Sequence, residues 1–369
     1  HGVAVVDDAA KAAVDIGGRR WEAGSFDPTR APAIHEGAFI VARHEISSSA
    51  LGQVLTLTCA PRPGVNLPVE IVLRYEIADT LPLLLKSVTV WNRTKQMVIV
   101  DNLVVDMFCH TRYQQELRVF TDWYEAYGKT EGRDEYYQGW ILMQFPHPVR
   151  LPLEPGESLD SFRCFEYATP HEAEEAAVRH HRIFRAIAPW IAESPVSQEL
   201  CDATTWDELT AVAPRAAADG IEMTHLFMTQ VFTNVGDYIP RPDLFPGGAA
   251  DVKRLVDHFH RHKVKVIPYC SLTIAWQAMA GERRARVCEE HPDWQYLGTD
   301  GIRYNCYGYG NMCYQSPWGE YITDKLNWLT DSLGFDGLHI DGPYHGLPCL
   351  ETQHRHRSPE SVGYMNWKW

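Results

Sequence analysis

This sequence lacks paired cysteines, membrane-length apolar runs and any excess of positive charge. Its nine cysteines are Cys59, Cys109, Cys164, Cys201, Cys270, Cys288, Cys306, Cys313 and Cys349, and no two form a C-x-x-C pair. Their number is odd, and a chain of 369 residues needs no covalent staples, so reduced buried thiols are expected. That points to a reducing compartment, cytoplasmic rather than secreted. No apolar stretch approaches the roughly 20 residues of a membrane span, so no membrane partner is expected. Lys and Arg total 34 against 48 Asp and Glu, a net charge of −14 that argues against nucleic acid and anionic lipid. The chain opens at His1 with neither Met nor signal peptide and stops at Trp369 in what reads as a loop, so both ends look cut. Asn92-Arg93-Thr94 matches a glycosylation sequon, a pattern short enough to arise by chance.

What is present is aromatic. The chain carries 12 Trp, 17 Tyr and 13 Phe, which suit sugar rings by stacking and serve equally well as ordinary core. A hydrophobic fraction of 45% fills packed cores, and the length favours two domains.

Residues 1–167 read as an antiparallel β-sandwich. Val54–Thr58 and Val69–Ile77 alternate apolar and polar, and Leu84–Val90, Val98–Val105, Trp140–Phe145 and Ser161–Tyr167 follow. Asp79, Pro82, Asn92 and the Pro155-Gly156 turn break them at sandwich-like intervals. Residues 168–195 read as a helical linker, with Thr169 as N-cap and Pro170 at the first helical position. From residue 196 onward strands and helices alternate. Strands are expected over Glu199–Thr204, Met223–Met228, Val264–Cys270 and around Leu338–Ile340, and helices over Trp206–Ala218, Ala249–His262 and Tyr321–Leu333. Such alternation implies a parallel sheet. Four βα-like units make half of a (β/α)₈ TIM barrel, which takes roughly 250 residues. A half-barrel leaves open edges, so the remainder is expected from further chain or a second subunit, conceivably another copy of this one.

The fourth strand ends on a carboxylate. In Gly334-Phe335-Asp336-Gly337-Leu338-His339-Ile340-Asp341-Gly342-Pro343, Leu338 and Ile340 read as a short buried strand that Gly342-Pro343 stops. Side chains at the C-terminal strand ends of such a barrel converge on the active site, which makes Asp341 a catalytic candidate. The alternative is a loop-capping Asp, since Asp-Gly is a common turn pair.

These residues together resemble glycoside hydrolase family 36, the α-galactosidases. Tyr75-Glu76-Ile77-Ala78-Asp79-Thr80-Leu81-Pro82-Leu83-Leu84-Leu85-Lys86 with Val90-Trp91-Asn92 resembles the family's sandwich, and Gly236-Asp237-Tyr238 with Asp243-Leu244-Phe245-Pro246-Gly247-Gly248 its segment after barrel strand two. His291-Pro292-Asp293-Trp294 and Gly334–Asp341 fit as well. The resemblance implies a retaining glycosidase with Asp341 as nucleophile. A second carboxylate, about 5–5.5 Å from it, would serve as acid/base. The family takes that acid from strand six, beyond residue 369. The sequence departs from the family pattern where an Asp pair and a Trp usually end strand two; Met228-Thr229-Gln230-Val231-Phe232 stands there. His339 occupies the position of the family's Lys, two residues before the nucleophile. Galactose specificity is therefore open.

The pocket is expected to be lined by Gln230, Tyr269, His339 and Asp341, with Tyr344 and His345 at the rim and Asp237 reaching a sugar hydroxyl. His339 shares the Asp341 face by the two-residue strand period; it reads equally as a satisfied core histidine. The aromatic stretch Tyr304, Tyr307, Tyr309, Tyr314 and Trp318 could stack a sugar or simply pack. His345, Cys349, His354 and His356 are zinc-ligand types, but their spacing matches no zinc motif, and no metal or cofactor is expected. The favoured function is hydrolysis of an oligosaccharide, polysaccharide or glycoside. The rivals are a sugar isomerase or lyase on the same barrel and a non-catalytic carbohydrate-binding protein.

Overall fold

The protein is seen here as a computed structural model. It describes, with side chains, residues 38–106, 118–122, 143–145, 149–168, 172–190, 194–199, 203, 205–227, 230–275, 285–305, 309–341 and 347–368, and the backbone alone of further strand and helix residues between and before them. The chain divides into two compact units, His1–Ala192 with Trp367–Trp369, and Glu193–Asn366.

The first unit is antiparallel β structure. One sheet holds β1 (Phe39–Ser48), β2 (Gly52–Pro61), β3 (Val69–Ala78), β4 (Leu83–Asn92), β5 (Leu117–Thr121), β6 (Ser158–Asp160) and β7 (Cys164–Ala168). Its order is β5-β7-β4-β3-β2-β1, with β6 also on β4. Alternation makes the sheet: Ile71 lies opposite Val90 and Leu73 opposite Val88. All four are buried, while the residues between them are less so. The edge strand β1 is exposed along nearly its whole length and carries Arg43, His44 and Glu45, charges that discourage further pairing. A second sheet runs Gly128–Glu131, Trp140–Gln144, Asn102–Cys109, Ala13–Ile16, Arg19–Glu22.

Two polar groups are sunk into this unit. Lys86 on β4 sits 2.9 Å from Asp106 of the second sheet and 2.7 Å from Glu166 on β7. Burial and the Asp106 hydrogen bond push Glu166 up to about 9. Asn92 of the sequon is fully buried, and its Nδ2 donates to the carbonyls of Gln96 and Leu153, both at 2.8 Å. An amide so engaged serves the turn, not a glycan. After β7 comes α1 (Ala173–Ile187), with Glu172 at its N-cap. The expected cap at Thr169-Pro170 lies outside the described residues.

The second unit is a partial barrel. Its sheet is β8 (Ser197–Leu200), β9 (Met223–Leu226), β10 (Lys265–Ser271) and β11 (His339–Asp341), in that order and parallel throughout. Helix α2 (Trp206–Ala218) starts on a capping box in which Thr205 and Glu208 satisfy each other's backbone N–H. Helix α3 (Ala249–Arg261) buries Val252, Leu255, Val256 and Phe259, a stripe of period 3.6. The short α4 is Arg286–Glu290, and α5 (Trp318–Asn327) ends in a wider π turn over Trp328–Ser332. These helices cover one face of the sheet, where Thr224, Leu226, Val266 and Cys270 are almost wholly buried.

Strand β11 departs from the expectation of a buried strand. It lies at the sheet's edge, and Ile340, whose parity puts it on the helix-covered face, is 44% exposed. Its neighbour across the ladder, Cys270, is fully buried. The helices that shield Cys270 do not extend over the edge strand.

Candidate functional site

The open face of the parallel sheet gathers the candidate residues. The register pairs Tyr269 with His339 and Ser271 with Asp341. Pleating sends Tyr269, His339 and Asp341 to the same side, opposite Cys270 and Ile340. The Tyr269 hydroxyl donates a short hydrogen bond to Asp341 Oδ2. The Tyr269 ring meets the His339 ring at 5.5 Å between centroids and the Phe227 ring at 5.2 Å, both edge-on. All four side chains are half-buried, so the site is lined but not sealed.

His225 joins the group from β9, where it faces the same way. Its ring lies 5.2 Å from that of His339. Burial, then repulsion from His339, holds its pKa below the ordinary histidine value, which keeps it neutral. His225 Nε2 and His339 Nδ1 are both buried and find no hydrogen-bond partner among the described residues. Buried polar atoms are nearly always paired, so two orphans on one face mark a place where a polar ligand or further polar side chains belong.

The loop after β9 holds this face in shape. Gly236 adopts φ 113°, and a Cβ there would come within 3.2 Å of the Ala275 Cβ. Tyr238, itself at φ 52° and almost fully buried, accepts the Ser271 N–H on its hydroxyl at 3.1 Å. That bond fixes the end of β10, two residues past Tyr269. Asp237 lies between them on this loop, as expected, but it is buried. It accepts from Arg286 N–H at 2.6 Å, Val287 N–H at 3.3 Å and the Tyr321 hydroxyl at 3.1 Å. Those contacts give it the first turn of α4 to hold, not a sugar hydroxyl.

Gln230 is likewise a turn residue. Its Oε1 accepts from Phe227 N–H at 3.0 Å while its backbone N–H returns to the Phe227 carbonyl at 3.0 Å. Its Nε2 is buried without a partner among the described residues. Tyr344 and His345 lie outside the described residues, as do Met228, Thr229 and Tyr307. Of the aromatic stretch, Trp318 is fully buried and donates to the Leu272 carbonyl at 2.7 Å, which is packing rather than stacking surface.

His225 was the residue that sequence reading missed on this face. The same two-residue period that joined His339 to Asp341 would have found it. Far along the chain, Cys349, His354 and His356 do gather, joined by Cys313 from a different loop. The Cys349 thiol is pushed well down, first by the hydrogen bond from Cys313 and then by that with His354.

The architecture is that of a β-sandwich followed by the first strands of a parallel α/β barrel with its polar cluster at the C-terminal strand ends. It is the fold of the GH36 α-galactosidases. Over 99% of its length the chain superposes on AgaB from Geobacillus stearothermophilus with a TM-score of 0.68 and 12% identity, spanning 59% of that enzyme. Against AgaA from the same organism the TM-score is 0.62 at 13% identity, over 89% of this chain and 54% of that one. The α-galactosidase from Lactobacillus brevis gives 0.62 at 13% identity, over 85% and 55%. In sequence, the chain is 28% identical over 140 residues to the A type blood α-D-galactosamine galactosaminidase of Flavonifractor plautii, a match covering 35% of this chain and 12% of that protein. No family model matches the sequence.

Proposed function

We propose that this chain forms the sandwich and the nucleophile-bearing part of a retaining glycoside hydrolase that removes terminal α-linked galactose or galactosamine-type residues from oligosaccharides. The observation that carries the reading is Asp341 at the C-terminal end of β11, its carboxylate gripped by the Tyr269 hydroxyl on the open face of the sheet. The α-galactosidase fold of the neighbours and the galactosaminidase relative support it.

In this reading Asp341 attacks the anomeric carbon as the aglycone leaves with a proton from the acid/base carboxylate, and water, giving a proton back to that carboxylate, then cleaves the glycosyl ester. Tyr269 aims the carboxylate and stabilises its charge before attack. The acid/base carboxylate comes from a strand outside these 369 residues. His225 and His339, with their unpartnered nitrogens, bind sugar hydroxyls. With His339 where family members carry Lys, the pocket has one fixed positive charge fewer, which suits an amino sugar better than the family pattern would.

The test is Asp341→Asn in the full-length protein, assayed on aryl α-galactoside, α-galactosaminide, α-N-acetylgalactosaminide and α-glucoside. Asn is nearly isosteric but forms no glycosyl ester. A loss of three or more orders of magnitude in kcat is expected, roughly 4 kcal/mol, with the melting temperature kept. A variant with more than about a tenth of wild-type kcat, a loss under ~1.4 kcal/mol, rules Asp341 out as the nucleophile.

A further inference from the structure

Two loops far apart in sequence meet at four soft or borderline ligands. Cys313 follows the short strand Tyr309–Asn311, and Cys349, His354 and His356 lie in the long segment after β11. One donor atom from each lies within 4.8 Å of all the others. Cys313 and Cys349 are fully buried, and His354 is 8% exposed. A filled tetrahedral zinc site with Zn–S of about 2.3 Å and Zn–N of about 2.0 Å has its ligand atoms roughly 3.3–3.8 Å apart. Cys349 Sγ and His354 Nδ1 already stand at 3.4 Å.

The surroundings are those of a metal site rather than of a chance cluster. His354 Nε2 lies 2.8 Å from the Asp293 carbonyl, which can only accept. The proton is therefore on Nε2, and Nδ1 presents a lone pair to the cluster. A backbone carbonyl on the far nitrogen is the usual support of a metal-bound histidine. His356 is buried at both ring nitrogens and neither makes a hydrogen bond among the described residues. A buried imidazole with nothing to bind is costly unless a ligand uses it. The Cys349 sulfur receives the Leu297 N–H at 3.5 Å, the kind of donor that a thiolate needs. Around them pack Tyr296, Val362, Leu297, Tyr304 and Leu347, an apolar shell that excludes water.

We propose that Cys313, Cys349, His354 and His356 form a structural zinc site that ties the loop before α5 to the segment after β11. Four protein ligands leave no open position, so the ion is structural and not catalytic. Two thiolates balance the charge of Zn²⁺. Two sulfurs and two imidazoles select zinc over magnesium or calcium, which take oxygen. In this fold the ion does what Asp293 of the His291-Pro292-Asp293-Trp294 motif begins, since that residue's carbonyl already anchors His354. The sequence reading could not weigh this set, because Cys313, 36 positions before Cys349, stands outside any local spacing rule.

The measurement is metal content of the full-length protein purified without chelator, followed by removal of the metal and titration with Co²⁺. About one zinc per chain is expected. The cobalt form is expected to show the d–d bands of a tetrahedral ion and a thiolate-to-cobalt charge-transfer band that saturates at one equivalent. Cys313→Ser and His356→Asn are expected to weaken cobalt binding at least tenfold, whereas Cys288→Ser, a buried cysteine elsewhere in the unit, leaves it unchanged. Wild-type protein without zinc that also gives no thiolate band with cobalt overturns the proposal. So does a Cys313–Cys349 disulfide in freshly isolated protein, or a band that survives Cys313→Ser.

Discussion

The Tyr269 hydroxyl donates to Asp341 Oδ2. A hydrogen bond to an ionised group contributes about 1.5–3 kcal/mol. Tyr269→Phe keeps the ring that packs on Phe227 and His339 and removes only the donor. It is expected to lower kcat roughly 10–100-fold with KM changed far less, because the bond orients the nucleophile and not the sugar. Unchanged kcat would make the hydroxyl a bystander. The buried Glu166 offers a separate residue-scale test, through pH. Its folded pKa, about 9, lies above the value of 4.5 it has when unburied, so the folded state holds a proton that the unfolded state has lost between those values. Stability from this group is present below pH 4.5 and declines as pH rises toward 9. Glu166→Gln keeps a neutral group in place. It is expected to flatten the fall in melting temperature between pH 6 and pH 9, and an identical slope in both proteins would contradict the assignment of that proton.

At the scale of the element, the loop after β9 decides how well β10 and β11 present their side chains. Gly236 occupies a backbone region closed to other residues, and Tyr238 ties the loop to Ser271. Gly236→Ala is expected to cost about 1–3 kcal/mol. At roughly 2–4 °C per kcal/mol for a unit of this size, the melting temperature drops by several degrees. Calorimetry on both proteins measures it, and an unchanged transition would show that the loop relaxes at no cost. This loop also illustrates what was legible beforehand. The Gly236-Asp237-Tyr238 motif was visible as a motif, but its purpose was not. Asp237 looked like a ligand for sugar because exposed loop carboxylates often are, and only the tertiary structure shows Arg286, Val287 and Tyr321 enclosing it. Strands such as Val69–Ala78 were legible from alternation, and the parallel sheet from the change of period at residue 196, whereas the edge strand Phe39–Ser48 was not expected. Helix α5 began three residues earlier than Tyr321, since the Ser316-Pro317 start was read as loop.

The whole molecule places two kinds of polar cluster in two kinds of setting. On the open face of the parallel sheet, Tyr269, Asp341, His225 and His339 are half-buried, and His225 and His339 each carry a buried nitrogen without a partner among the described residues. In the loops, Cys313, Cys349, His354 and His356 are closed in by apolar side chains. In the first, His339 and Asp341 were readable together because one strand carries both at the right period, while His225, on a neighbouring strand, was missed. The second was half-readable, since three of its ligands are local and the fourth is not. The chain spans about 59% of the solved α-galactosidase it superposes on over 99% of its own length. The central claim is that Asp341 becomes covalently glycosylated. The direct measurement is to incubate full-length enzyme with a 5-fluoro galactosyl fluoride, which forms the ester quickly and releases it slowly, and to map the adduct by peptide mass spectrometry. The account predicts one added fluoro-sugar per chain, located by fragmentation at Asp341. A sugar on any other residue, or full inactivation with Asp341 unmodified, contradicts it.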